Sequence, residues 1–581
     1  MTEEIPLPST SPMQSHHRSF SASDIKRNNY SITDLTVEIP STTRSTSIPN
    51  ENSRKQSRWG TLEFKFYYAV VLLVVPLMIW IPVSSSDASQ LNYAKYHSRL
   101  SQGWIFGRAI DNSDAQYRSF RNNIPVLAVV GLALFLLKRA WLAVIRVPTN
   151  ESHLIVYDVV ASLLFLTGLH GSSVVKVLAI LTLNFLVAKA CRGAKVGPVV
   201  TWIFNIGILF LNDRYDGYRF GAIHPWLEFL DQEIYEGFYP RWYISFNITM
   251  LRLVSFNMDF YWACRKVGSV EVGQGASSLN ERQRQTVAHP EAVYSFVNYI
   301  AYALYSPLYI AGPIITFNDF MWQFRRPSSI PLSYLMGYLF RFIACLLTME
   351  FILHFMYVGA IKESRAWIGD TPAQISMIGF WNLMIVWLKL LLPWRFFRLW
   401  ALTDGIDPPE NMVRCMANNY STFGFWRSWH RSYNLWIIRY IYIPLGGMKN
   451  VFLNSVLVFT FVALWHDLTF KLLAWGWLVS LFILPEMLGR YLLPSSRYGS
   501  APWYRHVCAL GAVFNVMLMM TANLVGFVIG TDGIQFFFSQ LFGTWGGLQC
   551  LVGVIFCLFV GVQIMFEYRE EEIRKGIYRR C

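Results

Sequence analysis

Thirteen apolar runs, spread from residue 64 to residue 566, decide what this chain can become. They cover 64–81, 124–137, 154–169, 174–190, 199–211, 244–256 and 293–310. The rest are 332–357, 375–392, 451–465, 472–484, 507–529 and 548–566. Backbone N–H and C=O groups in lipid have no water to bind, so segments of this kind must close their hydrogen bonds internally as helices. A spanning helix needs roughly 20 residues, and several runs are shorter. About ten to twelve true spans are therefore expected, with the remainder re-entrant or interfacial. Only 15% of the residues are charged, against about 25% in an ordinary soluble domain. The fold class is an all-α polytopic membrane protein.

Formal net charge is +14. A nucleic-acid partner would require a soluble basic face, and none is visible. The cations lie in loops and at run ends, including Lys138, Arg139, Lys189, Arg192, Lys195, Arg325 and Arg326. That placement fits attraction to anionic head groups, so membrane lipids are the expected partners. Eight cysteines are scattered without a CxxC pair or a metal-ligand spacing. They read as packing residues, and no metal site is expected.

Residues 1–58 differ in composition from the rest. Nineteen of the first 57 are Ser or Thr, with no helical or strand period, which predicts a disordered tail. Residues 59–581 contain no polar insertion large enough to form a soluble domain, so one transmembrane domain is expected. The first span would act as the signal anchor. The charged end of the last run, Glu567–Lys575, reads as a solvated helix terminus. Asn150, Asn247 and Asn419 open glycosylation sequons, whose use depends on topology.

Two histidines stand out. His466 ends the run FVALWHD, where lipid cannot solvate its ring. Thirty-six positions upstream, His430 lies in FWRSWHRSYN. Imidazole titrates near pH 6.5, which suits it to take and return a proton. Two rings beside one buried cavity would give a base and an orienting or polarising partner. The plainer readings are a hydrogen-bonded core histidine at 466 and an interfacial anchor helix carrying His430. On a continuous helix, Trp426, Trp429 and Tyr433 would share one face and Arg427, Arg431 and Asn434 another. A rival pair is Glu350 and His354, at i and i+4, suited to a proton relay or to a satisfied structural contact. Lys389, Arg395 and Arg398 stand among apolar residues and would snorkel or hold phosphates. His170 reads as structural, and Gly312-Pro313 as a helix cap.

The block FWRSWHRSYNLWIIRYIYIPLGG at 425–447, followed by FVALWHD at 461–467, resembles the membrane-bound O-acyltransferase superfamily. EFKFYY at 63–68, SQGWIFGRAIDNSDAQYR at 101–118, NYIAYALYSPLYIAGPIITFND at 298–319 and TPAQISMIG at 371–379 are similar to its fungal Gup branch, named for glycerol uptake. So are LWALTDGID at 399–407, WYRHVCALGAVFN at 503–515 and VQIMFEYREEE at 562–572. The resemblance implies one all-helical fold around a tunnel where acyl donor and acceptor meet. It places the family's membrane histidine on His466 and its second polar position on His430. It implies acyl-CoA as co-substrate with no permanently bound cofactor, and a lyso-lipid hydroxyl as acceptor. For the Gup branch that acceptor would be the lyso-lipid of a protein anchored by glycosylphosphatidylinositol (GPI), in the endoplasmic-reticulum membrane and also at the plasma membrane. The branch name carries an alternative, a glycerol/proton transporter using Glu350 and His354.

Overall fold

The structure is a computed structural model that describes residues 56–145, 151–267, 279–326, 329–466, 469–577 and 579. The expected tail, Asn150, Asp467 and Cys581 fall on residues outside these, apart from the tail's last three positions. Helices dominate, and the strands described form one small antiparallel hairpin, Leu100–Gln102 with Ala109–Asp111.

Among the described residues, eight helices are long and apolar enough to cross a membrane. They are Leu62–Ser85, Ala115–Val144, His153–Cys191, Leu332–Phe355, Pro372–Thr403, Leu472–Tyr498, Tyr504–Val528 and Trp545–Arg574, with Leu453–His466 as a shorter apolar helix. The first two have 11% and 6% of their apolar windows buried, so greasy surface all round must meet lipid. The chain is thus a multi-pass membrane protein. The long Pro372–Thr403 helix starts where the sequence dictates. Thr371 and Gln374 form a reciprocal capping box, and Pro372 takes the first helical position, where its missing N–H costs nothing.

Eight is fewer than the ten to twelve expected, for physical reasons. One of the eight, His153–Cys191, takes up two of the expected runs, 154–169 and 174–190, and is interrupted between them at Gly171 (φ +56°), where Tyr235 O packs into the space a Cβ would need. The run 244–256 lies in Trp242–Cys264, a helix that buries Arg252 and Asp259 inside the protein instead of facing lipid. The run 293–310 does not form one span. It breaks into Phe296–Ala303 and Ser306–Tyr309, and the chain then runs non-helically to Thr316. Arg252 makes this break tolerable by donating to Ala303 O at 2.9 Å and to Leu308 O. Polar side chains bind the irregular stretch: Tyr302 donates to Ile315 O (2.8 Å), and Ser432 Oγ accepts from Ile314 N–H (2.9 Å). Non-helical backbone survives at membrane depth when protein satisfies it in this way.

The Glu567–Lys575 end is not solvated as expected. Glu567 and Glu572 are buried, and they clasp Arg505, Arg574 and Arg414. Glu567 also accepts from Arg58 N–H at 2.9 Å, so the first and last spans meet on one face.

Candidate active site

The segment 422–442 is not one amphipathic helix. Thr422–Ser428 and Arg431–Ile437 are separate helices, followed by a π-helical turn over Ile438–Tyr442. They are divided at His430, which sits in the left-handed region (φ 43°, ψ 50°). A residue without glycine's freedom stays there only when its surroundings hold it. Asn411 does so from outside the segment. Its backbone carbonyl accepts from Arg431 N–H, and its side-chain oxygen accepts from Ser432 N–H, each at 3.0 Å. Arg431 is locked to Glu281 by two bonds of 2.9 and 3.1 Å, and Arg439 to the buried Asp259 at 2.7 Å. The loop bearing Asn411 is tied in turn by Arg398, which donates to Pro408 O at 2.8 Å.

Aromatic rings fix the direction of the imidazole. His430 stacks on Trp394 with centroids 4.4 Å apart and an interplanar angle of 27°. Tyr433 lies 5.0 Å away and Trp465 6.4 Å. Trp465 is the hub: its Nε1–H donates to Asn247 O at 3.0 Å, and its ring is 4.8 Å from that of His466. His430 and His466 therefore flank one indole. His430 is half-buried and His466 exposed. Among the described residues neither makes a hydrogen bond.

The other enclosed histidines differ. His170 Nδ1 pairs with Tyr239 O (2.8 Å) and its Nε2 with Tyr309 OH (3.1 Å), as a structural role requires. His289 Nε2 is 2.9 Å from Asn318 O. His354 Nδ1 is 2.7 Å from Glu350 O, and its Nε2 accepts from Trp104 N–H at 3.2 Å. Glu350 accepts from Tyr117 OH (2.7 Å) and Trp104 Nε1–H (3.0 Å). Glu350 and His354 thus hold the Leu100–Asp111 hairpin to the Leu332–Phe355 helix, and their side chains do not bond each other.

Lys389 and Arg398 neither snorkel nor stand ready for phosphate. Lys389 pairs with Asp114 at 2.7 Å, and Arg398 with Asp407 at 2.6 Å. Arg395 donates to Cys345 Sγ at 3.1 Å. The sequons also turn inward: Asn247 donates to Trp465 O and Asn419 to Cys415 O. Sequence reasoning missed Asn411, Trp394, Glu281 and Asp259. Trp394 lay inside a run singled out only for its cations, and the others carry no local signal. Tyr433 was seen merely as part of an aromatic face. It is buried, and its hydroxyl has no partner among the described residues.

This geometry is accompanied by clear relatives. The family model of the membrane-bound O-acyltransferases matches residues 227–531, a stretch that includes both histidines. The membrane-bound O-acyltransferase GUP1 of Saccharomyces cerevisiae is 50% identical over 536 residues, covering 91% of this chain and 94% of that protein. The gup1 protein of Schizosaccharomyces pombe is 41% identical, covering 93% of this chain and 95% of its own. The mouse protein-cysteine N-palmitoyltransferase HHAT is more distant, 25% identical over 55% of this chain and 66% of its own length. With half of its residues shared along nearly its whole length, the chain belongs to the membrane-bound O-acyltransferase family and is an acyltransferase.

Proposed function

We propose that the protein moves a long or very long acyl chain from acyl-CoA to a lyso-lipid hydroxyl, with His466 as general base and His430 as its polar partner. A ring nitrogen of His466 takes the acceptor's proton as that oxygen attacks the thioester carbonyl. His430 orients the acceptor or donates to the oxyanion that develops on the carbonyl oxygen. Collapse of the tetrahedral species breaks the C–S bond, and the departing thiolate recovers the proton from His466. The products are an ester and CoA–SH, and no cofactor is consumed. Walls of Trp394, Tyr433 and Trp465 limit water, which would otherwise hydrolyse the thioester.

One observation carries this reading. Unlike the buried and hydrogen-bonded His170, His289 and His354, His430 is half-buried and His466 exposed, and neither makes a hydrogen bond among the described residues. Ring nitrogens that are not engaged by the protein are what a proton-transferring pair needs.

The Gup likeness supports a finer assignment, in which the acceptor is the lyso-GPI anchor of a protein in the endoplasmic reticulum. A glycerol/proton transport reading would need a proton path, and both members of the pair it relied on are engaged by the hairpin. The test is purified full-length protein in phosphatidylcholine vesicles, given labelled long-chain acyl-CoA and lysophosphatidylinositol as a stand-in acceptor. Labelled diacyl product is expected, with His466→Ala slower by roughly 10²–10⁴. Glycerol uptake without acyl transfer, or an unimpaired His466→Ala, would overturn the assignment.

A further inference from the structure

The helix Phe470–Leu492 touches both segments that carry the candidate histidines. Against the helix Val451–His466 it packs closely. A Cβ at Gly476 would lie 2.9 Å from Phe459 O, so glycine permits the approach, and Trp477 Nε1–H donates to Thr460 Oγ1 at 3.1 Å. The buried Trp475 sets its ring 5.6 Å from that of Trp426, which itself lies 5.4 Å from Phe459. Further along, Glu486 reaches the His430 segment. One of its oxygens accepts from Thr422 N–H at 2.7 Å and Phe423 N–H at 3.4 Å, and the other from Ser421 Oγ–H at 2.6 Å. Ser421 Oγ in turn accepts from Gly424 N–H at 3.1 Å. One carboxylate thus holds the start of the helix Thr422–Ser428, whose other end runs through Trp429 into the left-handed turn at His430. Glu486 is buried, and Arg490 donates to it at 2.6 Å, so its charge has a partner in place.

We infer that Glu486 is a positioning residue for acyl transfer, one that fixes where His430 stands relative to His466. The inference rests on the roles proposed above for the two rings. Glu486 is printed in contact with neither imidazole, so it acts through the helix it holds. Because Phe470–Leu492 is seated on the helix that ends at His466, its carboxylate passes that placement on to the segment bearing His430. Asn411 grips the turn from the residues after His430, and Glu486 grips it from the residues before. Without the carboxylate, Thr422 N–H and Ser421 Oγ–H lose their acceptor, and the short helix is free to shift and carry His430 with it. A displacement of about 1 Å in a reacting constellation costs on the order of a hundredfold in rate.

Turnover of full-length Glu486→Ala and Glu486→Gln tests this in phosphatidylcholine vesicles with labelled long-chain acyl-CoA and lysophosphatidylinositol. Each substitution is made in the wild-type and in the His430→Ala background. Glu486→Ala should lower kcat roughly ten- to a hundredfold, with KM for acyl-CoA within about twofold. Glu486→Gln keeps one carbonyl oxygen for Thr422 N–H and should lower kcat only several-fold; it carries the test alone if the alanine variant does not fold. In His430→Ala, either substitution should change the remaining rate less than about twofold, because no imidazole is left to misplace. A folded Glu486→Ala with wild-type kcat, or the same fold loss in both backgrounds, overturns the positioning role and leaves the histidine roles standing. A wild-type rate in His430→Ala overturns those roles instead, and this inference with them.

Discussion

Replacing His430 by alanine and by glycine separates the ring from the turn that presents it. At φ 43° a residue with a Cβ bears roughly 1–2 kcal/mol of left-handed strain. Alanine keeps that strain and loses the contacts with Trp394 and Tyr433, each worth about 0.5–1.5 kcal/mol. Glycine loses the same contacts and sheds the strain, while its extra freedom in the unfolded chain costs about 0.5–1 kcal/mol. The difference leaves His430→Gly more stable than His430→Ala by roughly 0.5–1 kcal/mol. Both variants lack the imidazole, so both should show the same large fall in acyl transfer. Thermal unfolding of the two proteins in one detergent, paired with turnover in vesicles, reads the two effects separately. If alanine proves at least as stable as glycine, His430 is not held left-handed. The claim that Asn411 and Trp394 aim its ring would then fail.

Other perturbations test neighbouring parts of the account. Asn411→Ala leaves Ser432 N–H buried without its acceptor, a loss of about 1–3 kcal/mol, and lets the His430 turn drift. Turnover should fall ten- to a hundredfold with acyl-CoA binding little changed, and full turnover would refute the positioning role. Glu350→Gln leaves one carbonyl oxygen where Tyr117 and Trp104 now donate to separate carboxylate oxygens, so heat stability should drop while acyl transfer stays within threefold of wild type. Loss of transfer with stability intact would return this residue to the chemistry. Tyr433→Phe removes a buried hydroxyl that has no partner among the described residues. Stability should hold or rise by about 1 kcal/mol, and a clear fall in its unfolding temperature would show that the hydroxyl has a structural partner.

Much of the architecture was legible because lipid allows so few solutions. The runs at 64–81, 332–357 and 375–392 became long helices, and Thr371-Pro372 marked a start through its capping chemistry. The run at 293–310 misled for a reason outside itself. Its break depends on Arg252, 51 residues before Ala303, whose carbonyl it binds. The Glu567–Lys575 end looked solvated because charges at helical spacing usually are, yet its partners Arg414 and Arg505 come from a loop and a helix distant in sequence. At the candidate site, His466 drew attention as a ring at the end of an apolar run and His430 as a ring within an aromatic and basic stretch. The left-handed turn at His430 could not, since Asn411 and Trp394 meet it only in the folded chain. Glu350 and His354 showed the converse limit. Their i, i+4 spacing suggested a shared proton, and Trp104, in the hairpin that engages them, lies 246 residues before Glu350.

A structure of the protein bound to a non-hydrolysable thioether analogue of acyl-CoA tests the central claim most directly. The account predicts the analogue's reacting carbon between the His430 and His466 rings, within about 5 Å of each once closed contacts form. An analogue lying with that carbon remote from both imidazoles, for example against the Leu100–Asp111 hairpin, would contradict it.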